Sequence, residues 1–259
     1  MILRHAPDAK AGQEPEERKV EPAWKVFFST QQRAASPEAV VLQAAHAALA
    51  GELASHLLPE AFGELRPEVI EAATRHDWGW AESDERQIAT EPARKLKPFP
   101  EMKRDELPSW RRSLELAEEW APLTRVLISR HFCALANQPT PQHEEFIRTE
   151  TPRRVAIERT LSFGERDLKR WAGAVGLCDL LSLYLCCGTK RPAWFPVAHP
   201  ADSEAPTARR FTVACHSGEL ICSEPVFVPG AHVQVETLRL NAAGELIPVR
   251  TAWILRVRG

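Results

Sequence analysis

Five side chains carry the chemistry this sequence can offer: His46, His76, Asp77, His131 and Asp179. Each stands where a helical repeat asks for an apolar residue. Leu42, His46, Leu49, Leu53 and Leu57 follow steps of three and four, so they share one helical face. Val69, Ala73, His76 and Asp77 share a second face, with the His-Asp pair at its C-terminal end. Leu123, Leu127, His131 and Leu135 repeat every four residues, and so do Trp171, Val175, Asp179 and Leu183. A carboxylate buried without a partner is costly, so Asp77 and Asp179 need compensation. The histidines can supply it directly, or one metal ion can bind the whole set. A single His on an apolar face is more often a core histidine with an ordinary hydrogen bond. Ionisable groups on four such faces are harder to reach by accident, and their clustering points to a metal-type site. Two His and two Asp make a mixed nitrogen and oxygen set that suits iron, manganese, zinc or, less well, magnesium.

Several elements must position these residues. Met1 to Arg4 is a short edge strand, and Pro7 to Lys19 a polar, flexible insertion. Trp24 to Thr30 (WKVFFST) reads as a strand from its β-branched and aromatic content. Ser36-Pro37-Glu38 opens a helix running to about Leu58. Pro67 opens a second helix ending at Gly79, and residues 84–108 form a polar loop. Helices come next over Trp110 to Trp120, Pro122 to about Ala136, Thr151 to Leu161 and Gly164 to Cys187. Gly188 to Pro206 is a linker, and beyond it Phe211 to Ala214, Val226 to Val228, Val233 to Leu240 and Ala252 to Val257 read as strands. The expected fold class is mainly α: a helical bundle with a small β-rich appendage formed by the C-terminal segment, which can pair with the N-terminal strands. The expected division is residues 1–35 for the N-terminal strands and insertion, 36–187 for the helical domain and 188–259 for the linker and appendage.

Composition narrows the partners. The chain has 259 residues, with 44% hydrophobic, 26% charged and a formal net charge of -2, which is ordinary globular composition. No long basic run points to nucleic acid or an anionic membrane. The polar first 25 residues lack the apolar core of a signal peptide, and no stretch reaches the roughly 20 apolar residues of a membrane span. Six scattered or adjacent cysteines fit a reducing, cytoplasmic compartment. Cys215, His216 and Cys222 lack the paired spacing of a structural zinc site.

The order His46, His76-Asp77, His131, Asp179 resembles the HD-domain superfamily of metal-dependent phosphohydrolases. The stretches QAAHAALAGELA (Gln43 to Ala54), HDWGW (His76 to Trp80), LISRHF (Leu127 to Phe132) and GLCDLLSLYLC (Gly176 to Cys186) look closer still to an uncharacterised bacterial family of unknown function, thought to be an offshoot of that fold. The resemblance covers roughly residues 24–187. It implies an HD-like bundle in which His46, His76, Asp77 and Asp179 ligate a divalent metal. His131 then matches a helical His that binds a second metal or the phosphate, and His143 is a weaker candidate in PTPQHEEF.

The activity implied is hydrolysis of a small phosphomonoester or nucleotide by a metal-activated water, with Asp77 bridging two metals or orienting the water, and His131 stabilising the leaving oxygen or donating a proton. There is a departure: many HD hydrolases follow the pair with Gly and Lys, whereas here Gly79 is followed by Trp80. Trp78 and Trp80 imply a more apolar pocket mouth, and Arg75 and Arg130 read as surface arginines. Two other readings stay open: a di-iron oxygenase using His131 and His143, and a binding module without catalysis. No Walker loop, dinucleotide motif or nucleophile elbow appears.

Overall fold

The computed structural model describes residues 1–5, 20–32, 37–138, 140–197 and 209–258. Within them the chain alternates helix and strand: β1 (Ile2–Arg4), β2 (Glu21–Pro22), α1 (Ala23–Gln31), β3 (Ala39–Val41), α2 (Gln43–Ser55), α3 (Pro59–Phe62), α4 (Pro67–Arg75), α5 (Ala81–Thr90), α6 (Lys103–Leu116), α7 (Pro122–Leu135), α8 (Pro141–Glu158), α9 (Glu165–Cys186), β4 (Ala193–Pro196), β5 (Arg210–His216), β6 (Glu219–Cys222), β7 (His232–Leu240) and β8 (Leu246–Val257). Short 3-10 turns lie between α4 and α6, including Trp78–Trp80, and at Ala117–Glu119.

The fold class differs from the sequence expectation. Helices account for 55% of the structure and strands for about 20%, and the strands form one curled, mixed sheet. Its eight strands run in the order β1-β3-β7-β8-β6-β5-β4-β2. The pairs β2–β4 and β6–β8 are parallel and the rest antiparallel. The protein is therefore a mixed α/β fold, not a mainly α bundle with a β appendage. The physical reason is the core: one apolar cluster joins helical Leu49, Leu181 and Tyr184 to sheet residues Val41, Phe195, Phe211, Val233 and Trp253. A sheet sharing the main core is a layer of the fold.

Several local expectations change with it. Trp24 to Thr30 is helical, because Ala23, Val26, Phe27 and Thr30 are buried at helical spacing, and tertiary packing overrides β propensity. The helix expected to open at residues 36–38 begins at Gln43; before it the wholly buried Ala39-Val40-Val41 pairs with β1 and β7. Ser36, Pro139 and the segment Pro7 to Lys19 lie outside the described residues. The second helix ends at Arg75, and residues 84–90 and 103–108, expected in a loop, lie in α5 and α6; α6 runs on through the expected helix as far as Leu116. Pro141 opens α8 behind an N-cap, Thr140, whose hydroxyl accepts from the His143 backbone amide. Val226–Val228 reduces to one bridge, Phe227 to Leu57.

α9 is the central element. Every residue from Trp171 to Cys186 is buried, as expected of a helix apolar on all sides. It packs against α2, α4 and α7, and also against α1, β1 and β4. Two glycines allow the close approaches that frame the site. A Cβ at Gly51 on α2 would collide with Thr74 on α4, and one at Gly79 would collide with the Ser109 and Ser113 backbone of α6. No helix among the described residues is long and apolar enough to cross a membrane.

Candidate metal centre

Four helices deliver the five predicted side chains to one place. His46 projects from the first turn of α2 and His131 from the last turns of α7. Asp179 comes from the middle of α9. His76 follows α4 directly, still in a helical conformation, and Asp77 leaves the helix to start the Trp78–Trp80 turn. All five are buried, Asp77 and Asp179 at 7% exposure and the three histidines at 1% or less, so only the carboxylates reach toward solvent.

Neighbouring groups fix how the histidines face inward. The Ser182 hydroxyl, one turn after Asp179, donates to the Asp179 backbone oxygen at 2.7 Å. Its oxygen therefore accepts from His46 Nδ1 at 2.9 Å, which puts a hydrogen on Nδ1 and leaves Nε2 facing Asp77 Oδ2 at 2.8 Å. His76 Nδ1 donates to the Ala73 carbonyl at 2.9 Å, so its Nε2 faces Asp179 Oδ1 at 3.2 Å. A hydrogen bond from the far ring nitrogen is how metal-binding histidines are commonly held. His131 Nε2 lies 3.5 Å from Asp179 Oδ2, and its ring centre lies 5.1 Å from that of His76.

These residues form two overlapping groups able to hold a metal ion, His46–His76–Asp77 and His76–His131–Asp179, with the ligand atoms of each within 4.8 Å of one another. Ligands about 2.1 Å from one cation sit roughly 3.0–3.5 Å apart when adjacent. The observed separations of 2.8 Å (His46–Asp77), 3.2 Å (His76–Asp179) and 3.7 Å (His76–Asp77) bracket that range. These three pairs of donors therefore fit a cation after shifts of a few tenths of an ångström. Both groups need His76, which has only Nε2 to offer, so they describe one pocket that His76 can commit to one ion.

The electrostatics agree. Burial alone would lower the His76 imidazole, but the Asp77 charge, the Asp179 hydrogen bond and charge and the Ala73 carbonyl outweigh it and raise its pKa to about 9. Burial would raise the Asp179 carboxyl, but the hydrogen bond from His76 and the charges of His76, His131 and His46 hold it well below the usual carboxylate range. Asp179 is thus poised to stay ionised in a buried place, as a ligand must be.

The other candidates are engaged elsewhere. His143 Nδ1 meets the Thr140 hydroxyl at 2.6 Å and its Nε2 lies 3.5 Å from Glu106, so it joins neither group. Arg130 is ion-paired with Glu158 and Glu165. Arg75 lies over the rings of Trp78 and Trp120, at 4.7 and 5.0 Å. Trp80 is buried and edges onto Phe99. Cys215, His216 and Cys222 lie on the β5–β6 hairpin and in neither group. Two residues near the centre carry no signal of their own in the sequence: Ser182 and Gln43, whose Nε2 lies 3.4 Å from Asp77 Oδ2. Both stand one helical turn from a predicted ligand, and that spacing is the signal that could have found them.

A family described as protein of unknown function (DUF3891) has a model that matches residues 31–233, which spans all five residues of the centre. No curated protein and no solved structure matches the chain.

Proposed function

The chain belongs to the DUF3891 family, and we propose that it binds one divalent metal ion at the buried His/Asp centre and hydrolyses a small phosphomonoester or nucleotide there. The observation that carries this reading is the convergence of His46, His76, Asp77, His131 and Asp179 from four helices into one buried cluster of metal-ligand atoms. The resemblance of their chain order to the HD superfamily supports the reaction class. His46, His76, Asp77 and Asp179 would hold the cation, which when bound lowers the pKa of a water ligand and polarises a phosphoryl oxygen. His46 and His76 are kept in the ligating orientation by Ser182 and Ala73. His131 lies beside Asp179, where it can pass a proton to a leaving oxygen. The two carboxylates, slightly exposed, mark the side from which a substrate enters.

A metal of the iron, manganese, zinc or magnesium group meets these donors. The di-iron alternative loses support because His143 faces Glu106 and because His76 serves one ion. The non-catalytic alternative draws on the His46–Asp77 and His76–Asp179 contacts, which compensate the carboxylates without any metal.

The test is elemental analysis of the purified protein beside a phosphoester panel run with and without chelator. About one transition-metal or magnesium ion per chain is expected, weakened about 100-fold or more in His46→Ala and Asp179→Ala. Hydrolysis should vanish with chelator and return with metal. A folded protein that takes up no divalent ion would refute the centre. Bound metal with no turnover would refute the hydrolase reading and leave a metalloprotein of other use.

A further inference from the structure

Gln43 is the polar residue beside this centre that the proposed reaction leaves without a task, and any role for it there rests on the metal reading above. It is the first residue of α2, three positions before His46 on the same face, and 1% exposed. Its backbone is tightly held. The Gln43 amide donates to Asp84 Oδ2 at 2.7 Å, while Asp84 Oδ1 accepts from the Met1 α-ammonium group at 2.6 Å.

The side-chain amide has one allowed orientation. Asp77 Oδ2, 3.4 Å from Nε2, belongs to a carboxylate and can only accept, so the NH2 end must face it. Oε1 is then fixed two bonds from that nitrogen, at the edge of the centre. Oε1 is buried and receives no hydrogen bond from any described residue. Buried acceptors are nearly always matched by a donor, and leaving one unmatched is costly. The contact of Nε2 with Asp77 puts this unmatched acceptor beside the cluster of ligand atoms.

We propose that Gln43 is a positioning residue: its Oε1 accepts a hydrogen bond from the water that the cation holds, while its Nε2 steadies Asp77. The centre should then favour ligands that carry a hydrogen, water and alcohols, over anions that carry none.

Cobalt(II)-loaded protein titrated with azide, followed through the cobalt visible bands, reads this preference without any turnover. Azide displaces water but cannot donate to Oε1. Gln43→Leu and the unbranched Gln43→Met remove the acceptor, and azide should bind each about tenfold more tightly than wild type, the worth of one net hydrogen bond. Gln43→Glu keeps an acceptor oxygen, and azide should bind it no more tightly than wild type. Azide affinity within twofold of wild type in a cobalt-loaded Leu or Met variant would overturn the proposal and leave the metal reading standing. Wild-type protein that takes up no cobalt would overturn both. Melting temperatures and cobalt affinities of the same variants separate a packing role, which moves those two quantities and not the azide preference.

Discussion

Loading the centre with metal should release a proton, and the contacts show which. The His76 Nε2–Asp179 Oδ1 contact of 3.2 Å joins a ring nitrogen to a carboxylate oxygen and needs one proton to be a hydrogen bond. The raised His76 pKa of about 9 keeps that proton in place between pH 6 and 8. When the two atoms become ligands, the proton must leave. It adds about 1.4 kcal/mol of affinity per pH unit, so about 3 kcal/mol between pH 6 and 8, or about 100-fold in Kd. Calorimetric titration of cobalt(II) into chelator-treated protein, in buffers of differing ionisation enthalpy, counts the protons directly. A titration that releases no proton at pH 7, or a Kd that does not change with pH, would refute the exchange and the geometry behind it.

Three further outcomes are expected. The metal-free protein should lose stability on both sides of a window: the raised His76 contributes about 3 kcal/mol that is present below pH 6.5 and lost as pH rises through about 9, whereas the lowered Asp179 contributes stability present above the ordinary carboxylate range and lost on acidification. Thermal melts across pH should therefore peak between about pH 4 and 6.5, and a melting temperature that rises steadily to pH 9 would contradict the assignment. Ser182→Ala removes the acceptor that fixes His46 Nδ1, and should weaken metal binding about 10–100-fold with a small loss of stability; unchanged affinity would show that Ser182 does not orient the ring. Gly79→Ala pushes a methyl group into the Ser109 and Ser113 backbone and should cost about 1–3 kcal/mol in a denaturant melt, with wild-type stability as the result that rules out the close packing.

The centre was more legible in the sequence than the fold around it, and particular residues show why. His46, His76, Asp77, His131 and Asp179 declare themselves because a charged group on an apolar helical face is an expensive exception, visible within one or two turns. Gln43 and Ser182 stand on the same faces, but a neutral polar group is cheaply buried with one or two hydrogen bonds, so only their one-turn spacing from a predicted ligand marks them out. α7, opened by Pro122, and α9, with its strong repeat, are helices that fall within a residue or two of the expected limits. Those with Pro inside, α6 with Pro108 and α8 with Pro152, do not. The sheet was hidden for a different reason. β3 has three residues, β2 has two, and β6 pairs in parallel with β8 across a long stretch of chain. Pairing of that kind depends on partners far away in sequence, which no local pattern records.

The correction of fold class and the convergence of the five side chains have one cause in α9. A helix buried on every side needs partners all round, and the helices of a bundle supply only some of them. α2, α4 and α7 cover the side that carries Asp179, while α1, β1 and β4 meet the rest of the surface. The centre depends on the first set of contacts, each made between helices whose apolar faces are readable one at a time. α1 and the sheet supply the second set and complete the enclosure that keeps Asp179 at 7% exposure. That enclosure makes the carboxylate's charge expensive to leave unmatched. The sheet thus acts on the centre through dielectric and rigidity rather than through ligands, which is why a mistaken fold class displaced none of the five residues.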